Sequence, residues 1–174
     1  MTIIKKDLNL IIPFILFVTI GIYGMYSVDY IAVSQTMRTT LKWCLIPIIF
    51  FAIYYAYRAS FGQKEKKIEI WKNILLFSVM SIIIGMLSFI SFQGILMIIN
   101  NKIGKQKEYL LSGKIIKLNY PEKKKIANKY SIEILRKLDN DTIELNVPTS
   151  EYQNDQNFEK QMKVGSLNFI YLEE

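Results

Sequence analysis

Three long runs without a charged residue constrain this chain more than anything else in it: Leu8–Val28, Trp43–Tyr57 and Ile74–Asn100, of 21, 15 and 27 residues. A helix rising 1.5 Å per residue needs about 20 residues to cross a ~30 Å hydrocarbon core. The first and third runs reach that length outright. The middle one reaches 19 residues, to Phe61, if Arg58 extends its guanidinium to the headgroups. Helices of water-soluble proteins keep a polar stripe toward solvent, and the first and third runs carry no charge on any face. Three membrane spans are therefore expected, at about residues 8–28, 43–61 and 74–100. The first run is expected to be a retained helix rather than a cleaved signal, because its apolar core is long and no A-x-A-like site follows it.

The flanking residues agree. Trp and Tyr collect where a ring sits half in hydrocarbon and half among headgroups. Trp43 opens the second run, Tyr54, Tyr55, Tyr57 and Arg58 close it, and Trp71 precedes the third. These six are the expected interface anchors. Pro13 and Pro47 are expected in the first turns of their helices, where a missing N–H costs least.

The overall charge of +7 divides unevenly. Residues 1–100 hold 9 Lys/Arg and 4 Asp/Glu, a net +5; residues 101–174 hold 13 and 11, a net +2. Much of the basic character therefore sits in tails and short loops, where Lys and Arg orient membrane helices. Lys5 and Lys6, with Arg58, Lys64, Lys66, Lys67 and Lys72, outweigh Arg38 and Lys42 beside Asp29. The expected arrangement has a cytoplasmic N-terminus and a periplasmic or extracellular C-terminal domain. Lysines after the third span do not set the orientation, since long domains translocate largely regardless of charge.

Within the spans the pattern is small and polar rather than ionisable. Ser78, Ser81, Gly85 and Ser88 share one face of the third run, with Gln93 farther along as a polar handle. Small residues on one face let helix backbones approach closely. Ala52, Ala56 and Ala59 repeat at similar spacing in the second run. The face of the third run has two readings: packing within the bundle, or reception of a helix from a partner. Cys44 reads as a small apolar filler.

After Asn100 the period changes from helical to alternating. Ile143, Leu145 and Val147 fall on one side of a strand, as do Tyr130, Ile132 and Ile134, with a turn at residues 138–142. Leu110–Tyr120 is a further strand with Gly113 as a bulge or bend, and Gln161–Lys163 and Leu167–Leu172 are two short ones around Gly165. A helical turn capped by Ser150 is expected within Pro148–Asp155. Five or so strands make residues 101–174 a soluble all-β domain, an OB-like or SH3-like barrel or sandwich.

Composition excludes much chemistry. The chain has no histidine and one cysteine, which removes Ser-His-Asp and Cys-His catalysis, imidazole ligands and thiolate-rich zinc sites. The first and third spans carry no ionisable residue of the kind that marks pumps and ion-coupled transporters. Asp139, Asp141 and Glu144 read as turn residues before they read as cation ligands. Lys123–Lys125 reads as a solvated loop, without the aromatic neighbours of a nucleic-acid platform. Ser166 near Lys163 reads as turn chemistry. No catalytic residue, cofactor, metal or nucleic-acid partner is expected; the expected partners are the lipid bilayer and another protein.

What remains is a non-enzymatic polytopic membrane binding protein. Immunity proteins that neutralise membrane-inserting bacterial toxins fit the size and the exposed soluble domain, with a toxin segment captured on the small-residue face. Heavy Lys, Ile and Asn usage suits an A/T-rich bacterial genome, and hence the bacterial inner membrane. The alternative is an accessory or assembly subunit of a larger membrane complex.

Overall fold

The computed structural model describes residues 5–62, 69–119, 130–137 and 140–172. Among them are three long helices, α1 (Lys5–Tyr26), α2 (Val33–Phe61) and α3 (Ile70–Lys102). Six strands accompany them: β1 (Tyr30–Ala32), β2 (Lys107–Asn119), β3 (Tyr130–Arg136), β4 (Thr142–Val147), β5 (Asn157–Val164) and β6 (Ile170–Leu172). All three helices are long and apolar enough to cross a membrane. The strands close into an antiparallel barrel in the order β1-β4-β3-β2-β5-β6. A helical membrane part followed by a small β-barrel is thus the fold class that the sequence predicts.

Two compact units result: residues 1–23 with 39–95, and residues 24–38 with 96–174. The sequence places the division after residue 100 and assigns the soluble domain to 101–174 alone. The structure draws Gly24–Arg38 into the barrel unit because β1 is a barrel strand. Ile31 and Ala32 pair with Asn146 and Leu145 of β4, while Tyr30 and Ile31 pair with Leu172 and Tyr171 of β6.

In the helical unit, one ring from each helix meets at the centre. Phe17, Phe51 and Phe92 have centroids 5.0–6.0 Å apart, with Phe92 edge-on to the other two. Such pairs add to area burial through the ring quadrupoles. Outside this centre the helices present large apolar side chains, with Ile46 81% and Trp43 72% exposed. That pattern suits a lipid solvent, in which apolar side chains have no reason to turn inward. Pro13 and Pro47 lie in the interiors of α1 and α2, not in their first turns as expected. The helices begin at Lys5 and Val33, well before the uncharged runs do. Neighbouring helices allow a membrane helix to absorb the freed carbonyl.

In the barrel unit, inward residues alternate along the long strands: Leu111 and Ile115 on β2, Ile132 and Ile134 on β3, Ile143, Leu145 and Val147 on β4. β2, the longest strand, pairs with β5 along one side and β3 along the other. Its register shift falls between Ile115 and Lys117 rather than at Gly113. Gly113 serves close approach instead, since a Cβ there would press on Ile134 Cγ2 and the Leu135 carbonyl. β1 and β6 are covered on both faces. Tyr30, Ala32 and Ile170 join the barrel core, while Ile31 and Tyr171 pack outside it with Val28 and Met97.

Three local expectations are corrected. Residues 148–155 form bends and a turn without a helix, and Thr149 Oγ1, not Ser150, accepts a hydrogen bond from the Glu151 N–H. Residues 167–169 are loop rather than strand. The fifth strand spans Asn157–Val164, longer than residues 161–163, because β2 offers it eight pairing positions.

Candidate functional site

The small-residue face of α3 changes character along its length. Ser78 is exposed, and its hydroxyl donates to the Ile74 carbonyl one turn back. Ser81 and Gly85 are half-buried, and the position of a Cβ on Gly85 is 3.7 Å from Ala52 Cβ of α2. Ser88 is fully buried and Gln93 nearly so. The hydroxyls of Ser81 and Ser88 are buried without a hydrogen-bond partner. The face therefore meets α2 at Gly85 and lies open at its Ser78 end.

The closest helix approach lies elsewhere. A Cβ on Gly21 of α1 would overlap the Ser91 backbone, and one on Gly94 would overlap the Gly21 carbonyl. α1 and α3 thus touch backbone to backbone at a glycine pair. Gly21, in the stretch Ile20-Gly21-Ile22, is not among the residues that the spacing on the third run singles out. Only the pairing of two helices reveals such a contact.

The expected anchors mostly face outward. Trp43, Tyr54, Tyr57, Arg58 and Trp71 are exposed, and Trp71 Nε1 donates to Glu69 at 2.7 Å. Lys72 lies 5.3 Å from the same ring centroid. Tyr55 turns inward: its ring packs 4.8 Å from that of Phe14, and its hydroxyl donates to the Leu10 carbonyl.

In the barrel unit, a shallow polar cleft of about 250 Å³ is lined by residues including Ser34, Gln35, Arg38, Glu133, Arg136 and Glu144. Its charges are mostly spoken for. Arg136 makes a two-pronged pair with Asp141 and also donates to the Tyr109 hydroxyl at 3.3 Å. This pairing raises the Arg136 pKa and holds the Asp141 carboxyl below its usual range. Glu133, bonded by Lys117 and Asn119, is lowered likewise, and Glu144 accepts from Ser131 at 2.7 Å. Asp141 therefore clasps the β3–β4 turn. Asp139 and Lys123–Lys125 lie outside the described residues. No group of three metal-ligating side chains occurs among the described residues.

One densely bonded polar residue carries no mark in the sequence. Asn100, buried near the end of α3, accepts from the Leu167 and Phe169 N–H groups at 3.0 and 3.2 Å and donates to the Phe169 carbonyl. Its own carbonyl accepts from Ser166 N–H and from Gln106. Gln106 in turn accepts from the Tyr171 hydroxyl at 2.8 Å. Asn100 thus fixes the β5–β6 turn.

These features define a chain with three helices fit to span a membrane and a closed six-stranded barrel. No family model, curated protein or solved structure matches it.

Proposed function

We propose that this chain is a non-enzymatic membrane binding protein, and that it serves as an immunity protein neutralising a membrane-inserting bacterial toxin. One observation supports the reading most: the small-residue face of α3 is covered at Gly85 and Ser88 but exposed at Ser78, among the exposed Ile74, Leu75 and Val79. A foreign helix entering from the bilayer would meet Ser78 there as a small residue among exposed apolar side chains, a notch that suits close helix packing. The barrel would engage the part of the toxin outside the membrane. The proposed location is the bacterial inner membrane, with the N-terminus cytoplasmic and the barrel periplasmic or extracellular.

Expression in a sensitive bacterium tests this directly. Protection against one cognate toxin, and recovery of that toxin with the tagged protein in mild detergent, are the expected results. If no toxin is countered and deletion instead destabilises a resident complex, the protein is an accessory or assembly subunit. A C-terminal alkaline phosphatase fusion tests the orientation, and an inactive fusion reverses it.

A further inference from the structure

We propose that the segment leaving α3, Lys102 to Lys107, is a binding site for anionic phospholipid headgroups. The charge-free stretch ends at Asn101, and lysines follow at 102, 105 and 107, with Glu108 the first acid after them. On this reading the lysines stand in the headgroup zone, which is about 5–8 Å deep on each side of a bilayer.

The backbone here is held rather than loose. The Ile103 N–H closes a last helical bond to Ile99, and Gly104 (φ +87°) ends the helix with its position for a Cβ 3.0 Å from Ser166 Cβ. Gln106 is tied on both ends of its amide, donating to the Asn100 carbonyl and accepting from Tyr171. With Gln106 fixed inward, its neighbours Lys105 and Lys107 are exposed, and so is Ile103, at 58%. An exposed apolar side chain between cations is the composition of a membrane-interface contact: the aliphatic group enters the acyl boundary and the ammonium groups meet phosphate. Met37 and Arg38 give α2 a similar exposed pair in the same unit. Glu108, whose carboxylate accepts a hydrogen bond from Gln161 on β5, offsets one of the three lysines and leaves the segment Lys102–Glu108 at a net +2.

The test uses the full chain reconstituted in phosphatidylcholine bilayers containing phosphatidylglycerol. The preference of spin-labelled phosphatidylglycerol over phosphatidylcholine for the protein surface is read by electron paramagnetic resonance. The wild-type chain is expected to favour phosphatidylglycerol, and the Lys105→Gln/Lys107→Gln variant to lose up to about fivefold per lysine, equivalent to ~1 kcal/mol for each cation at an anionic surface. Lys117→Gln, ten residues farther along β2 than Lys107, should leave the preference unchanged. Raising salt should erase the wild-type preference without any substitution. A wild-type chain with no preference, a double variant that keeps it, or a preference insensitive to salt would each overturn the proposal.

Discussion

Gly94 of α3 stands against the carbonyl of Gly21 of α1, so close that a methyl group on Gly94 would overlap it. The two backbones have no slack at this point. Gly94→Ala must push the helices apart or bend one of them, at a cost of about 1–3 kcal/mol by analogy with overpacked cores. A lower thermal midpoint in detergent is the expected reading for Gly94→Ala and for Gly21→Ala. Ala52→Gly, across a looser contact, should do less.

Ser78 and Gly85 separate intramolecular from intermolecular packing. Gly85→Leu intrudes on Ala52 and should disturb the bundle itself, whereas Ser78→Leu changes only an exposed position. Under the proposed function, Ser78→Leu abolishes partner recovery and protection while stability stays within about 0.5 kcal/mol of the wild type. Unimpaired protection would move the contact off this face.

Asn100→Leu removes one acceptor oxygen, which takes two N–H bonds, and one donor from the residue 167–169 turn at nearly constant volume. Stranded N–H groups on Leu167 and Phe169 make the expected loss about 2–5 kcal/mol. Hydrogen exchange should localise the damage, with the amides of Leu167 and Phe169 losing protection before those of β3 and β4.

Acid should weaken the barrel through Asp141 and Glu133, whose folded pKa values lie below their unfolded ones. Their contribution is complete above the unfolded carboxylate range, near pH 4, and is lost as pH falls through the depressed folded values. Stability is therefore expected to be flat from pH 7 to about 5 and to decline below about 4. Asp141→Asn should flatten that decline in acid unfolding curves. Arg136, raised by the same pair, stays charged throughout.

A fragment of residues 101–174 lacks β1 and leaves the facing edges of β4 and β6 unpaired. Bare edges of this kind invite pairing between chains. The fragment is expected to associate or exchange rapidly at Asn146 and Leu172, and size-exclusion chromatography with hydrogen exchange reads both.

The limits of sequence reading follow from burial. β4 alternates with water on one face and was legible at its exact ends, residues 142–147. β1 was missed because Tyr30, Ile31 and Ala32 are covered on both sides, and a short apolar run has no period to betray it. The three spans were legible in number, but α2 begins ten residues earlier than its uncharged run, since Arg38 and Lys42 do not interrupt a helix outside the hydrocarbon. Of the candidate partner-binding residues, the shared face was readable from spacing; which part of it α2 would cover was not. Asn100 carried no signal, because a single polar residue at the end of a span looks like a boundary rather than a hub.

Tyr30 pairs with Leu172, residues 142 positions apart in the chain. Synthesis runs from the first to the last, so β1 emerges long before either of its neighbours exists. The barrel can close only after α2 and α3 have been made and the chain has reached β6. A nascent chain in which a later helix enters the membrane backwards, or fails to enter, leaves β1 and its partners on opposite sides. A sealed barrel is therefore a record that insertion was completed correctly, and an open one gives quality-control proteases an unpaired edge to recognise.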